Sequence, residues 1–124
     1  MTLPLALVFY EDLIPGTQLV NRLQDSKYRV QVVPKLDELA ACAAQVGPML
    51  IFADLASKNG DVCTVIRKLR QATATAHIPV IGFADDTNEE LQTAGRTAGA
   101  TLVVADSVIL THLTQFIEQA LQVE

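Results

Sequence analysis

A chain of 124 residues with 50% hydrophobic and 19% charged side chains has apolar surface for one core and too little length for two, which excludes a disordered protein and points to one domain over residues 1–124. The net charge of -5, with a pI of about 4.9, offers no general cationic surface to nucleic acid or to an anionic membrane. The only basic cluster, Arg67, Lys68 and Arg70, has the spacing of a solvated helix face.

Leu3 to Tyr10 is a continuous apolar run that ends at the acidic pair Glu11 and Asp12. No Lys or Arg precedes it and no small-residue cleavage site follows, so it reads as a first strand rather than a signal peptide. No segment approaches the length of a membrane span, and a cytoplasmic protein is expected. Pro15-Gly16 opens a first helix carrying Leu19, Val20 and Leu23 up to Ser26. Tyr28 to Val33 alternates like a half-buried edge strand, and Pro34 ends it. Leu36 to Val46 is a second helix with Leu36, Leu39, Ala40 and Ala43 on one face, closed by Gly47.

Pro48 to Ser57, PMLIFADLAS, holds the third strand, an apolar run that ends in Asp54 and is followed by an Asn59-Gly60 turn. Asp61 caps a third helix whose inward stripe is Val62, Val65, Ile66 and Leu69, running to about Ala74. His77 to Phe83 is the fourth strand. A fourth helix follows, capped by Thr87 or Asn88, poor in apolar residues and interrupted by Gly95, and so the least stable of the helices. Thr101 to Ala105 is the fifth strand. Val108 to Leu121 is the fifth helix, with Leu110, Leu113, Ile117, Ala120 and Leu121 inward. Cys42 and Cys63 fall in apolar helical segments without metal or redox spacing and read as reduced core thiols.

Five alternations of strand and helix specify an α/β, doubly wound fold with a five-stranded parallel sheet and five helices. The flavodoxin-like order 2-1-3-4-5 fits, because the second strand is amphipathic and belongs at an edge while the first and third are the most apolar. The switch point then lies between strands one and three, and their carboxyl ends bring Glu11, Asp12 and Asp54 to one crevice. Such a cluster suits Mg²⁺, and an Asp beside Mg²⁺ can act as a nucleophile toward a phosphoryl group. Equally, the acids can simply solvate the strand ends. His77 opens a strand and His112 lies in a helix, so no catalytic histidine reaches that edge and a hydrolytic enzyme has little support.

PMLIFADLAS, DVCTVIRKLR, IPVIGFADD and AGATLVVADS together resemble the receiver domain of bacterial response regulators, of the single-domain chemotaxis (CheY-like) kind, over essentially the whole chain. The resemblance implies that Asp54 is the phospho-acceptor position and that Glu11 and Asp12 are the acidic pair that holds Mg²⁺. It also exposes departures. The Thr or Ser that ends strand four in the family is Ala84 here, and the Lys and following cis-proline after strand five are Asp106 and Ser107. The loop proline four residues beyond the acceptor is Lys58, and the glycine opening helix three is Val62. Lys to Asp reverses a local charge by two units, and like charges at about 4 Å repel by several kcal/mol. Lys58 could serve as a substitute cation from its loop.

The resemblance with these departures implies a pseudo-receiver: a two-component or phosphorelay signalling module that works through protein–protein contacts without normal phospho-switching. It implies no enzymatic activity and no required cofactor. Its partner would be a histidine kinase or a separate output protein, and the face from helix four through strand five to helix five, Glu89 to Leu121, offers a surface for a homodimer. The alternative is a genuine receiver phosphorylated on Asp54 with Mg²⁺ at Glu11, Asp12 and Asp54.

Overall fold

Buried apolar runs alternate with amphipathic stretches, and in the computed structural model they form five parallel strands connected by helices; residues 4–10, 13–33, 35–56 and 61–122 are described. The strands are β1 (Leu5–Phe9), β2 (Arg29–Val32), β3 (Leu50–Asp54), β4 (Val80–Ala84) and β5 (Leu102–Ala105). They pair in the order β2-β1-β3-β4-β5, the expected doubly wound topology. The helices are α1 (Leu13–Asp25), α2 (Leu36–Val46), α3 (Val62–Gln71), α4 (Glu89–Ala98), α5 (Asp106–Ile109) and α6 (Leu113–Gln122).

Because successive side chains of a strand point to opposite faces, the sheet splits the core in two. Leu7, Phe9, Ile51, Ala53, Val80 and Ala84 face α2, α3 and α4, where they meet Leu39, Ile66 and Leu69. Ala6, Val8, Leu50, Phe52, Ile81 and Phe83 face α1 and α6, where they meet Leu19, Leu23, Leu113 and Ile117. Every residue of β3 and β4 is buried, whereas β2 is mostly exposed, as its amphipathic sequence requires of an edge strand.

The helix ends follow local chemistry. Asp61 caps α3, accepting from the Cys63 and Thr64 amides and from the Thr64 hydroxyl at 2.9 Å. The Thr64 hydroxyl is the main reason its carboxyl titrates below the ordinary range. Asn88 caps α4 through the Leu91 amide. The α3 helix stops at Gln71, short of the expected Ala74, and the buried Thr75 hydroxyl donates to the Leu69 carbonyl near its end.

Several expectations need correction. Strand four begins at Val80, not His77, because 72–78 is spent in turns in which the Ile78 amide donates to the Thr75 carbonyl. The fifth helix starts earlier, at Asp106, and is divided at Leu110–His112, where the β-branched Thr111 is a weak helix former. Two α-type bonds, from the His112 amide to Val108 and from the Phe116 amide to His112, lead the chain through the turn. Leu121 is exposed, since one residue past the buried Ala120 is a rotation of about 100° off the inward stripe of Leu113, Ile117 and Ala120. Cys63 is buried but Cys42 only partly so; both are free thiols.

Arg70 is the largest correction: it is a clamp, not a solvated residue. Its Nε donates to the Gly99 carbonyl at 2.7 Å, Nη1 to the Ala76 and Ile78 carbonyls at 2.8 and 3.0 Å, and Nη2 to the Thr101 hydroxyl at 2.6 Å. Burial holds the guanidinium below its ordinary pKa. Gly99, with φ of +117°, fits beneath it, where a Cβ would lie 2.8 Å from Arg70 Cγ. The clamp joins α3, the α3–β4 loop, the end of α4 and the start of β5. Lys keeps the charge but has no planar fork, so Arg70→Lys should lose about 1–3 kcal/mol of unfolding free energy in urea titration. An unchanged denaturation midpoint would show that the clamp is dispensable.

Candidate functional site

The carboxyl ends of β1, β3, β4 and β5 share one edge of the sheet, and the buried β3 delivers Asp54 there. Asp54 is only 8% exposed. Its Oδ1 accepts the Ala56 amide at 3.0 Å, so the carboxylate folds back over its own chain in an Asx turn that encloses Leu55. Asp54 pairs with Phe83 of β4, and the Leu55 amide donates to the Phe83 carbonyl at 2.9 Å, carrying the ladder one residue beyond β3.

Ala84, at the end of β4, is fully buried and opposite Ala105 of β5. Its methyl supplies no hydroxyl to this edge. Asp106 and Ser107 are the exposed first residues of α5, so the position after β5 presents a carboxylate. No cis peptide bond occurs among the described residues. Glu11, Asp12 and Lys58 lie outside the described residues.

Mg²⁺ would need oxygen ligands from this edge. Of the three expected ligands Asp54 alone is described, and one of its oxygens is held by the Ala56 amide. Among the described residues no group of three His, Cys, Asp or Glu could hold a metal ion. Asp54 therefore ends β3 at the carboxyl edge, while the described residues by themselves do not complete a metal site.

The β4–α4 loop carries polar structure that sequence reading missed. Asp85 accepts from the Thr87 amide at 2.8 Å and the Thr87 hydroxyl at 2.7 Å, and the hydroxyl bond chiefly lowers its pKa. Gln92 Nε2 donates to the Asp85 carbonyl at 2.9 Å. Asp86 reaches across to β5–α5: its Oδ2 accepts the Ser107 hydroxyl at 2.5 Å and its Oδ1 the Ser107 amide at 3.4 Å. The strap links positions 21 residues apart and ties the loop beyond Ala84 to the residue after Asp106. The run Asp85-Asp86-Thr87 signals a turn, but nothing local signals Ser107 as the partner. Among the described residues, a cleft of about 320 Å³ separates Arg22 and Asp25 from the α5–α6 turn, and another of about 670 Å³ surrounds Arg70 at the opposite edge.

Because the strap is exposed, removing it should loosen the loop without unfolding the protein. Ser107→Ala should speed hydrogen exchange at the amides of 86–92 and 107–109 and cost less than about 1 kcal/mol globally. Unchanged exchange at those amides would show that the strap holds nothing.

No family model and no curated protein matches the sequence. The fold does match solved structures. The chemotaxis protein CheY4 of Vibrio cholerae superposes with a TM-score of 0.83 at 17% identity, over 95% of this chain and 98% of that one. The receiver domain of NtrX from Brucella abortus gives a TM-score of 0.82 at 18% identity, over 96% and 99%. The signal receiver domain of a signal transduction histidine kinase from Syntrophus aciditrophicus gives 0.77 at 18% identity, over 98% and 95%. No helix among the described residues is long and apolar enough to cross a membrane. With its strand order and these near full-length superpositions, the chain has the CheY-like receiver fold.

Proposed function

We propose that this chain is a receiver-like signalling module, one domain over residues 1–124, that acts through protein contacts without normal phospho-switching and without catalysis of its own. The observation that carries the reading is the pair of side chains flanking the acceptor edge: a buried methyl at Ala84 and an exposed carboxylate at Asp106. A phosphoryl group on Asp54 would carry nearly two negative charges. It would need a cation and a hydroxyl donor, and these positions supply neither.

A protein partner, a histidine kinase or a separate output protein, would then recognise a surface whose shape is set by packing rather than by phosphate. The face formed by α4, β5, α5 and α6 is the proposed contact, and a second copy of the chain is one occupant it could take. The loop leading into α4 is pinned by Asp85–Thr87 and Asp86–Ser107. That pinning supports a face presented in one arrangement.

The second reading, a phospho-accepting receiver with Mg²⁺ at Glu11, Asp12 and Asp54, keeps one observation in its favour: Asp54 ends β3 at the carboxyl edge. The two separate by mass. After incubation with acetyl phosphate and Mg²⁺ the protein should show no adduct in intact-mass measurement. The double variant Ala84→Thr/Asp106→Lys, which supplies the hydroxyl and the cation, should gain one that Asp54→Asn removes. An Asp54-dependent adduct on the unsubstituted protein would establish the second reading instead.

A further inference from the structure

Asp54 and Leu55 are consecutive but face opposite sides of the sheet. By alternation Asp54 shares the side of Leu50 and Phe52, and Leu55 packs with the cluster under α2, α3 and α4. Leu55 is 4% exposed and is held between two glycines. A Cβ on Gly82 of β4 would lie 3.1 Å from both Leu55 methyls, and a Cβ on Gly95 of α4 would lie 2.8 Å from Cδ1. The absence of side chains at both positions lets Leu55 fill the space between strand and helix. That accounts for a glycine inside α4, where it otherwise weakens the helix.

The backbone around Leu55 is set by Asp54. The Asp54 Oδ1 to Ala56 amide bond spans Leu55, and the Leu55 amide is tied to Phe83. Anything that competes for Oδ1, whether a modification or a partner's donor, weakens the bond that sets the Leu55 backbone. The side chain then shifts against Gly95, with little room to do so without moving α4, because the interior is close-packed.

We propose that Leu55 is a positioning residue that couples the state of the Asp54 carboxylate to α4, by way of the Asx turn and the Gly82–Leu55–Gly95 contact. This route needs neither a hydroxyl at position 84 nor a Lys at 106. It rests on the reading of α4 as part of the contact face, and it adds the Asp54 carboxylate as a group from which that face can be moved. It identifies how the two communicate.

Hydrogen exchange and amide shifts of the full chain, read by ¹⁵N NMR, test the coupling. Asp54→Ala removes the acceptor, and amides from Leu91 to Ala98 should exchange about five- to tenfold faster while those of α6 do not change. Asp54→Asn keeps an oxygen for the Ala56 amide and should leave α4 as it is. Leu55→Val withdraws the side chain from Gly95, so in that background Asp54→Ala should move Ala56 but no longer α4. Coupling is reciprocal. Gly95→Ala, pressing on Leu55 from the helix, should therefore shift the Ala56 amide, and Leu55→Val should abolish that shift, which gives a readout even if Asp54→Ala does not fold. The proposal is overturned if α4 ignores Asp54→Ala, if Asn and Ala act alike, or if the α4 response survives Leu55→Val. Each of those results leaves the phosphate-independent reading standing, whereas an acetyl phosphate adduct would remove that reading and leave the coupling intact.

Discussion

A parallel sheet covered by helices on both faces lets the side chains of its middle strands reach solvent only where the strands end. In this chain β3 and β4 are buried throughout, so a polar group in either can act only at its last position. Asp54 is that group in β3, and β4 ends in the methyl of Ala84. Burial thus does two things at once. It supplies the stability of the core, and it leaves the carboxyl edge as the place where the two central strands can meet another molecule.

At that edge the residues that end β4 and follow β5 are a buried methyl, Ala84, and an exposed carboxylate, Asp106. The polar groups around the edge are instead engaged with one another: Asp54 with the Ala56 amide, Asp85 with Thr87, Asp86 with Ser107. These bonds fix Leu55 and Ala56 directly after β3 and the loop between β4 and α4. Leu55, reaching from the Asp54 turn to Gly95, connects the ordered edge to a helix of the proposed contact face.

The strand order was legible because it follows from periodicity: buried runs for β1, β3 and β4, an amphipathic run for β2, and capping signals at Asp61 and Asn88 that act within three residues. What stayed hidden depends on partners distant in sequence. Arg70 looks like one more basic residue on a helix until Gly99 and Thr101, about 30 residues on, are brought beneath it. Gly95 looks like a defect until Leu55 fills its place. Ser107 looks like a lost proline until Asp86 caps it. The placement of Asp54 and Ala84 was readable because each ends a recognisable strand, and that of Asp106 because it follows one. Glu11, Asp12 and Lys58 carry the remaining expectations about the edge, and their chemistry rests on sequence alone.

The central claim is that the receiver fold here serves contact rather than phosphate. Thermal unfolding of the purified chain with Mg²⁺ and beryllofluoride, which together mimic the phosphorylated aspartate, tests it most directly. A melting temperature unchanged by that combination is the predicted result. A rise of several degrees that depends on Asp54 would contradict it, because a ligand that binds only the folded state stabilises it by RT ln(1 + L/Kd), L being the free ligand concentration, and so raises the midpoint.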